Sequence, residues 1–331
     1  MKTGINDNND VKQNGYDDKR HFNGENEFHQ QNYDQLKQKT NNSNEQENKE
    51  QEQKHERTPE RKSHKLEWGY SILNGPTTWS KLYPELKAKR FQSPIQINTD
   101  QTTFDTELKN QPFVFKYDDD CCQTLENTGH SFQVSGKGNS CITGGPVKDE
   151  YRFLQFHMHW GANDLEGSEH VVNGSRYPAE LHIVNWNTTK YSVPKDAAGS
   201  ENFDGLMVLG VLVKISFNDN PDMEKLLKLF SKIPYKGDKT NIDSTLSMNS
   251  LLPKDISSYY TYNGSLTVPM CDESVKWIVF KEKIFMSRRQ LDQLRRLKHC
   301  CKSDAHDHSN IYLNYRPVMP LNNRTVYRSF P

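Results

Sequence analysis

Gln155-Phe156-His157-Met158-His159-Trp160-Gly161 sets two histidines two residues apart within a run of strand-forming residues. A β-strand turns successive side chains to opposite faces, so His157 and His159 share one face while Phe156, Met158 and Trp160 take the other. One face is apolar and the other offers two imidazoles. Imidazole is the commonest protein ligand for zinc, and a catalytic zinc typically takes three protein ligands and leaves one position open for water. The best third candidate lies in Ala179-Glu180-Leu181-His182-Ile183-Val184-Asn185-Trp186, a second alternating stretch on which Glu180, His182 and Val184 share a face. Antiparallel pairing of the two stretches would bring His182 to His157 and His159. A lone histidine is more often a core or surface residue than a ligand; three on matching strand faces argue for a metal centre.

Working outward, further short alternating pieces flank this pair: Phe113 to Tyr117, Ser131 to Val134, Met207 to Ile215 and Val275 to Phe280. The first histidine strand spans Tyr151 to Trp160 and the second Glu180 to Trp186. Strands separated by Gly, Asn, Asp and Pro clusters argue for a mainly β protein with a large, mostly antiparallel sheet. Helix is a minor component. One helix is expected over Pro221 to Phe230, with proline in its first turn, and a second from Ser287 through Leu297, where Ser287-Arg288-Arg289-Gln290 fits a capping box. Trp68, Tyr70 and Trp79, with turn-rich Asn74-Gly75-Pro76 between them, suggest a packed but irregular N-terminal segment.

The first 64 residues have a different character, with 19 Asn and Gln and only eight residues from the apolar set. Such a segment cannot bury enough surface to offset the entropy of ordering, so 1–64 reads as a disordered polar tail of unknown partners and 65–331 as the folded domain. The 43 basic and 43 acidic residues leave no net field to draw the chain to nucleic acid or an anionic membrane. The most apolar run, Leu206 to Val213, falls far short of the ~20 residues of a spanning helix. No signal peptide or lipid-anchor tail is visible, so a cytoplasmic location is expected, with secretion the alternative. The cysteines, Cys121, Cys122, Cys141, Cys271, Cys300 and Cys301, lack zinc-type C-x2-C spacing and are expected as free thiols. His306 and His308 read as part of a solvated loop.

Four stretches taken together, Gln155 to Gly161, Gly167-Ser168-Glu169-His170, Ala179-Glu180-Leu181-His182 and Asn263-Gly264-Ser265-Leu266-Thr267, resemble the α-class carbonic anhydrases. The resemblance runs in order from about Trp68 to Phe330 and is to the cytosolic-type, catalytically complete members. It implies a twisted central sheet, one zinc ion, and reversible hydration of carbon dioxide to bicarbonate by attack of zinc-bound hydroxide; a monomer is expected. The metal ligands are then His157, His159 and His182, oriented by Gln155, the Asn314 backbone carbonyl and Glu180 in turn.

By the same resemblance, Thr267 would accept a hydrogen bond from the hydroxide and donate its own proton to Glu169. Val184, Val208, Leu266, Val268, Val275 and Trp277 would form the substrate pocket, as an uncharged small substrate requires. His130 would carry the proton to solvent, a task suited to a side chain of ordinary pKa ~6.5, with Tyr70 and Gln133 ordering the connecting waters. His170 reads as a structural, hydrogen-bonded histidine. Val268 and Thr128 stand where many relatives have Thr and Asn. Cys271 occupies a position used for a disulfide in secreted relatives, but the partner position near Lys87 is not Cys. The rival reading is a non-enzymatic member, a binding or mineral-matrix protein that uses the fold alone.

Overall fold

The computed structural model describes residues 67–199, 202–242, 246–304 and 309–331; the expected tail at 1–64 and the pair His306 and His308 lie outside the described residues. A thirteen-stranded sheet dominates. Along its path run Cys122–Asn127, Phe132–Gly136, Tyr151–Trp160, Ala179–Asn187, Leu206–Ser216, Val275–Phe280 and Tyr259–Gly264, with short strands at the edges. Most pairings are antiparallel. The exceptions within this sheet are Leu206–Ser216, which pairs in parallel with both Val275–Phe280 and Ile284–Ser287, and Tyr327–Arg328 with Thr103–Phe104. The sheet is therefore mixed, with antiparallel pairing in the majority.

Each face of the sheet carries its own core. Phe156, Met158, Trp160, Leu181 and Ile183 are fully buried in the larger cluster, with Phe132, Met207 and Leu209. Val184, Val208, Val275 and Trp277 belong to a second cluster on the other face. Two-residue alternation along each strand produces both, because successive side chains leave a strand on opposite sides. At the N-terminal end, Trp79, Leu86 and Cys271 form a third cluster with Trp68, Tyr70 and Tyr83 packed on it.

The helices are short. The first occupies Pro221–Leu227, where the Asn220 side chain accepts from the Asp222 and Met223 amides. It stops short of Phe230 because the Leu229 amide turns to the Leu226 carbonyl, three residues back. The second begins at Ser287 with both halves of the capping box in place and covers Arg288–Leu294. It does not reach Leu297 as a regular helix, since the Arg296 and Leu297 amides also bond carbonyls three residues back. No helix among the described residues is long and apolar enough to cross a membrane.

Candidate metal centre

Register places the histidines. Tyr151–Trp160 and Ala179–Asn187 pair antiparallel with His157 directly opposite His182, His159 opposite Glu180 and Gln155 opposite Val184. A bulge between Phe153 and Gln155 shifts the pairing by one residue. Phe153 thereby joins the same core as Phe156, while Gln155 keeps the face it shares with His157. On the next strand Gly210 lies opposite His182. A methyl group at Gly210 would sit 2.9 Å from Glu180 Oε1, so the close approach of carboxylate and backbone requires glycine there.

Each imidazole has one nitrogen tied to an acceptor. His157 Nδ1 lies 2.9 Å from Gln155 Oε1, His159 Nδ1 lies 2.7 Å from the Asn314 carbonyl, and His182 Nε2 lies 2.9 Å from Glu180 Oε1. An acceptor fixes the proton on the nitrogen it faces, which leaves a lone pair on His157 Nε2, His159 Nε2 and His182 Nδ1. The rings also stay neutral. Burial pushes His157 well below the usual imidazole range, lowers His159 to about 4, and lowers His182. One ligand nitrogen from each residue lies within 4.8 Å of the others. His159 Nε2 is buried without a hydrogen-bond partner, a costly state unless a cation takes its lone pair. Three neutral nitrogen donors around an orphaned lone pair fit a zinc ion.

Behind the ligands stands a dense polar cluster. Glu180 Oε1 receives His182 and His170, while Oε2 accepts the backbone amides of Glu169 and His170. Burial alone would raise this carboxyl, but the two imidazoles and their hydrogen bonds outweigh it and hold Glu180 well below the usual carboxylate range. His170 Nε2 lies 2.7 Å from the Tyr262 hydroxyl, itself 2.9 Å from Ser93 Oγ. Both ring nitrogens of His170 are thus occupied, so the grouping of His170, Glu180 and His182 is a hydrogen-bond cluster and not a second cation site. Glu169 Oε1 accepts the Arg316 amide at 2.8 Å, while Oε2 has no hydrogen bond of regular geometry among the described residues. Burial pushes Glu169 up to about 7, against the opposing pull of His182, the nearby Thr267 hydroxyl and Arg316.

His157 and His159 open on a cavity of about 220 Å³ lined also by Tyr70, Thr128, His130, Gln133, Gln155 and Val268, among others. Val184, Val208, Val275 and Trp277 pack together on the same sheet face with Leu266 against them, and the Trp277 ring lies 4.8 Å from the His182 ring. His130 sits at a boundary. It lines this cavity and also an outer cleft of about 610 Å³ that contains Glu67, Lys236 and His299. Its ring stacks on Trp68 at 3.8 Å, and its Nε2 lies 2.9 Å from the Trp68 carbonyl. Burial lowers its pKa. Burial and then the charge of Glu169 hold the Tyr70 phenol well above its usual range, so it remains protonated.

A family model for eukaryotic-type carbonic anhydrases matches residues 74–330. The chain belongs to this family. It is also 42% identical over 270 residues to Carbonic anhydrase 1 of Mus musculus, a match covering 80% of this chain and 98% of that protein. Membership makes the protein a carbonate dehydratase of a zinc-dependent family, acting on carbon dioxide, water and bicarbonate.

Several residues of this carbonic anhydrase's site escaped sequence reasoning. Trp68, Gly210, Tyr262 and Arg316 act through contacts between distant parts of the chain, and no local spacing marks them. Thr128 lines the cavity, but its hydroxyl serves the turn that presents His130, donating to the Ser131 carbonyl and accepting the His130 and Ser131 amides. Cys121, Cys122, Cys141, Cys271 and Cys301 are free thiols. Cys271 is fully buried beside Trp79, with its thiol pushed up to about 11 by burial.

Proposed function

We propose that His157, His159 and His182 hold one catalytic zinc ion and that 65–331 form a single catalytic domain hydrating carbon dioxide, with 1–64 an appended tail. The observation that carries this reading is the set of three neutral imidazoles, each anchored at one nitrogen, whose remaining nitrogens converge with His159 Nε2 unpartnered. When bound, zinc supplies the Lewis acidity that lowers the pKa of water to about 7, a general value for which this enzyme family is the reference case.

The chain's own residues then orient, desolvate and move protons. Glu180, Gln155 and the Asn314 carbonyl keep the three rings in the ligating tautomer. With Oε1 fixed by Arg316, Glu169 offers Oε2 to the Thr267 proton, so that the Thr267 oxygen can accept a hydrogen bond from the attacking water. Val184, Val208, Leu266, Val268, Val275 and Trp277 supply an apolar wall for an uncharged substrate that needs exclusion of water more than hydrogen bonds. His130 takes the product proton from waters ordered near Tyr70 and Gln133 and releases it into the outer cleft, because its ring borders both spaces. The free thiols Cys121, Cys122, Cys141, Cys271 and Cys301 support a reducing, cytoplasmic setting. We take the enzyme to act as a monomer.

The test is metal analysis together with stopped-flow carbon dioxide hydration on the full chain. One zinc per chain and sulfonamide-sensitive hydration are expected. A His157→Ala variant with full activity would refute the assignment, and a zinc-replete wild type without hydration would favour the rival role as a binding or mineral-matrix protein.

A further inference from the structure

The zero net charge conceals a cluster of four lysines outside the metal-site cavity. Lys214, Lys254, Lys281 and Lys283 line one shallow cleft of about 790 Å³ with Asp255, Glu282 and Phe285, and this cleft shares no residue with the metal-site cavity. Parallel pairing sets Lys214 directly beside Phe285, so the two side chains stand on the same face at the end of their strands. One residue beyond that strand, Phe217 is wholly exposed, and Phe285 is 52% exposed.

None of the four lysines forms an ion pair with a carboxylate among the described residues. Lys281 lies over the Phe330 ring and Lys283 over the Tyr177 ring, and Lys283 Nζ donates to the Lys281 carbonyl. Two acids, Asp255 and Glu282, share the cleft, leaving four ammonium groups against two carboxylates, while the acids beyond it are engaged elsewhere. Asp255 accepts from Ser257 and Ser258, Glu282 accepts the Asp255 amide, Asp222 pairs with Lys225, and Asp219 and Glu224 pair with Arg289. Burial and then the charges of Lys214 and Lys281 lower the Lys283 pKa, as expected of neighbouring ammonium groups.

We propose that this patch docks the enzyme on an anionic phospholipid surface, with the four lysines facing lipid phosphates and carboxylates and Phe217 and Phe285 entering the headgroup layer. Unpaired ammonium groups gain from an anionic leaflet, and an aromatic ring with no packing partner gains from the interface. A soluble acidic segment would satisfy the lysines equally well. It would leave Phe217 in water, since Phe217 projects from the surface and lines none of the clefts beside it.

The experiment is co-sedimentation of the full chain with phosphatidylcholine vesicles containing about one-quarter phosphatidylserine at ~0.1 M salt, with carbon dioxide hydration as the control for folding. Wild type is expected to sediment with these vesicles and not with pure phosphatidylcholine. Lys281→Glu/Lys283→Glu and Phe217→Ala/Phe285→Ala are each expected to weaken binding about tenfold or more with hydration unchanged. Absence of wild-type binding, or binding undiminished in both variants, overturns the proposal. So does binding that needs the lysines and not the phenylalanines and is matched by a soluble Glu-rich peptide, which would assign the patch to an acidic protein.

Discussion

The three proposed zinc ligands and His130, the proposed proton carrier, are the same residue type under opposite constraints. His157, His159 and His182 lie on two central strands, and each has one nitrogen locked by an acceptor. His130 lies in a turn at the junction of two cavities, held by a stack on Trp68 and one carbonyl contact. A ligand has to keep one tautomer and one direction, and paired strands with buried acceptors provide both. A proton carrier has to exchange its proton with solvent, which a buried, doubly bonded ring like His170 cannot do.

Removing a ligand tests the rigid side of this contrast most severely. His159→Ala is expected to lose stoichiometric zinc on dialysis and to reduce hydration to background, as read by metal analysis and stopped flow. His130→Ala should keep its zinc and lose on the order of 10²-fold in kcat, with added imidazole restoring part of it; unchanged kcat would remove His130 from the mechanism. Glu180→Gln keeps the shape of the side chain but disturbs the hydrogen bonding of His182 and His170. It should weaken zinc binding about 10–100-fold, measured by competition with a chelator.

Gly210→Ala is a milder perturbation of the same carboxylate. Its methyl group would meet Glu180 Oε1 at 2.9 Å, so zinc affinity should fall by about tenfold and stability by ~1–3 kcal/mol. Wild-type zinc affinity and melting temperature in this variant would show that the carboxylate has room to move.

The smallest effect concerns His130. Burial places the His130 pKa below its ordinary value, so the folded state favours the neutral ring. Its contribution to stability is complete above pH ~6.5 and declines as pH falls below that value toward the folded pKa. Trp68→Ala uncovers the ring, so the pKa should rise toward ~6.5, a change readable by NMR titration of the imidazole. A pKa that stayed put or fell would mean that the stack is not what buries it.

Legibility followed the range of the interaction. The parity of Gln155 with His157 and of Glu180 with His182 is a property of single strands and could be read directly. The capping box at Ser287 is similarly local, and both of its hydrogen bonds form. The helix ends at Phe230 and Leu297 were placed too far along, because tightening of a final turn depends on what the chain packs against next. The Asn314 carbonyl was reachable only through resemblance, since it meets His159 across 155 residues of sequence.

The sequence fixes which side chains leave each strand together, because that alternation is a covalent consequence of extended backbone. It therefore specified a face with His157 and His159 and a second face with Glu180 and His182. It did not specify that these faces meet. The pairing of His157 with His182, the bulge that takes Phe153 off the face of Gln155, and Gly210's clearance for Glu180 are matters of register between strands. Register is set by the packing of both cores at once, since a one-residue slip would exchange the two faces of the sheet. The lysine patch belongs to the same category: a balanced total charge says nothing about how folding distributes it, and only the fold gathers Lys214, Lys254, Lys281 and Lys283 around Phe285.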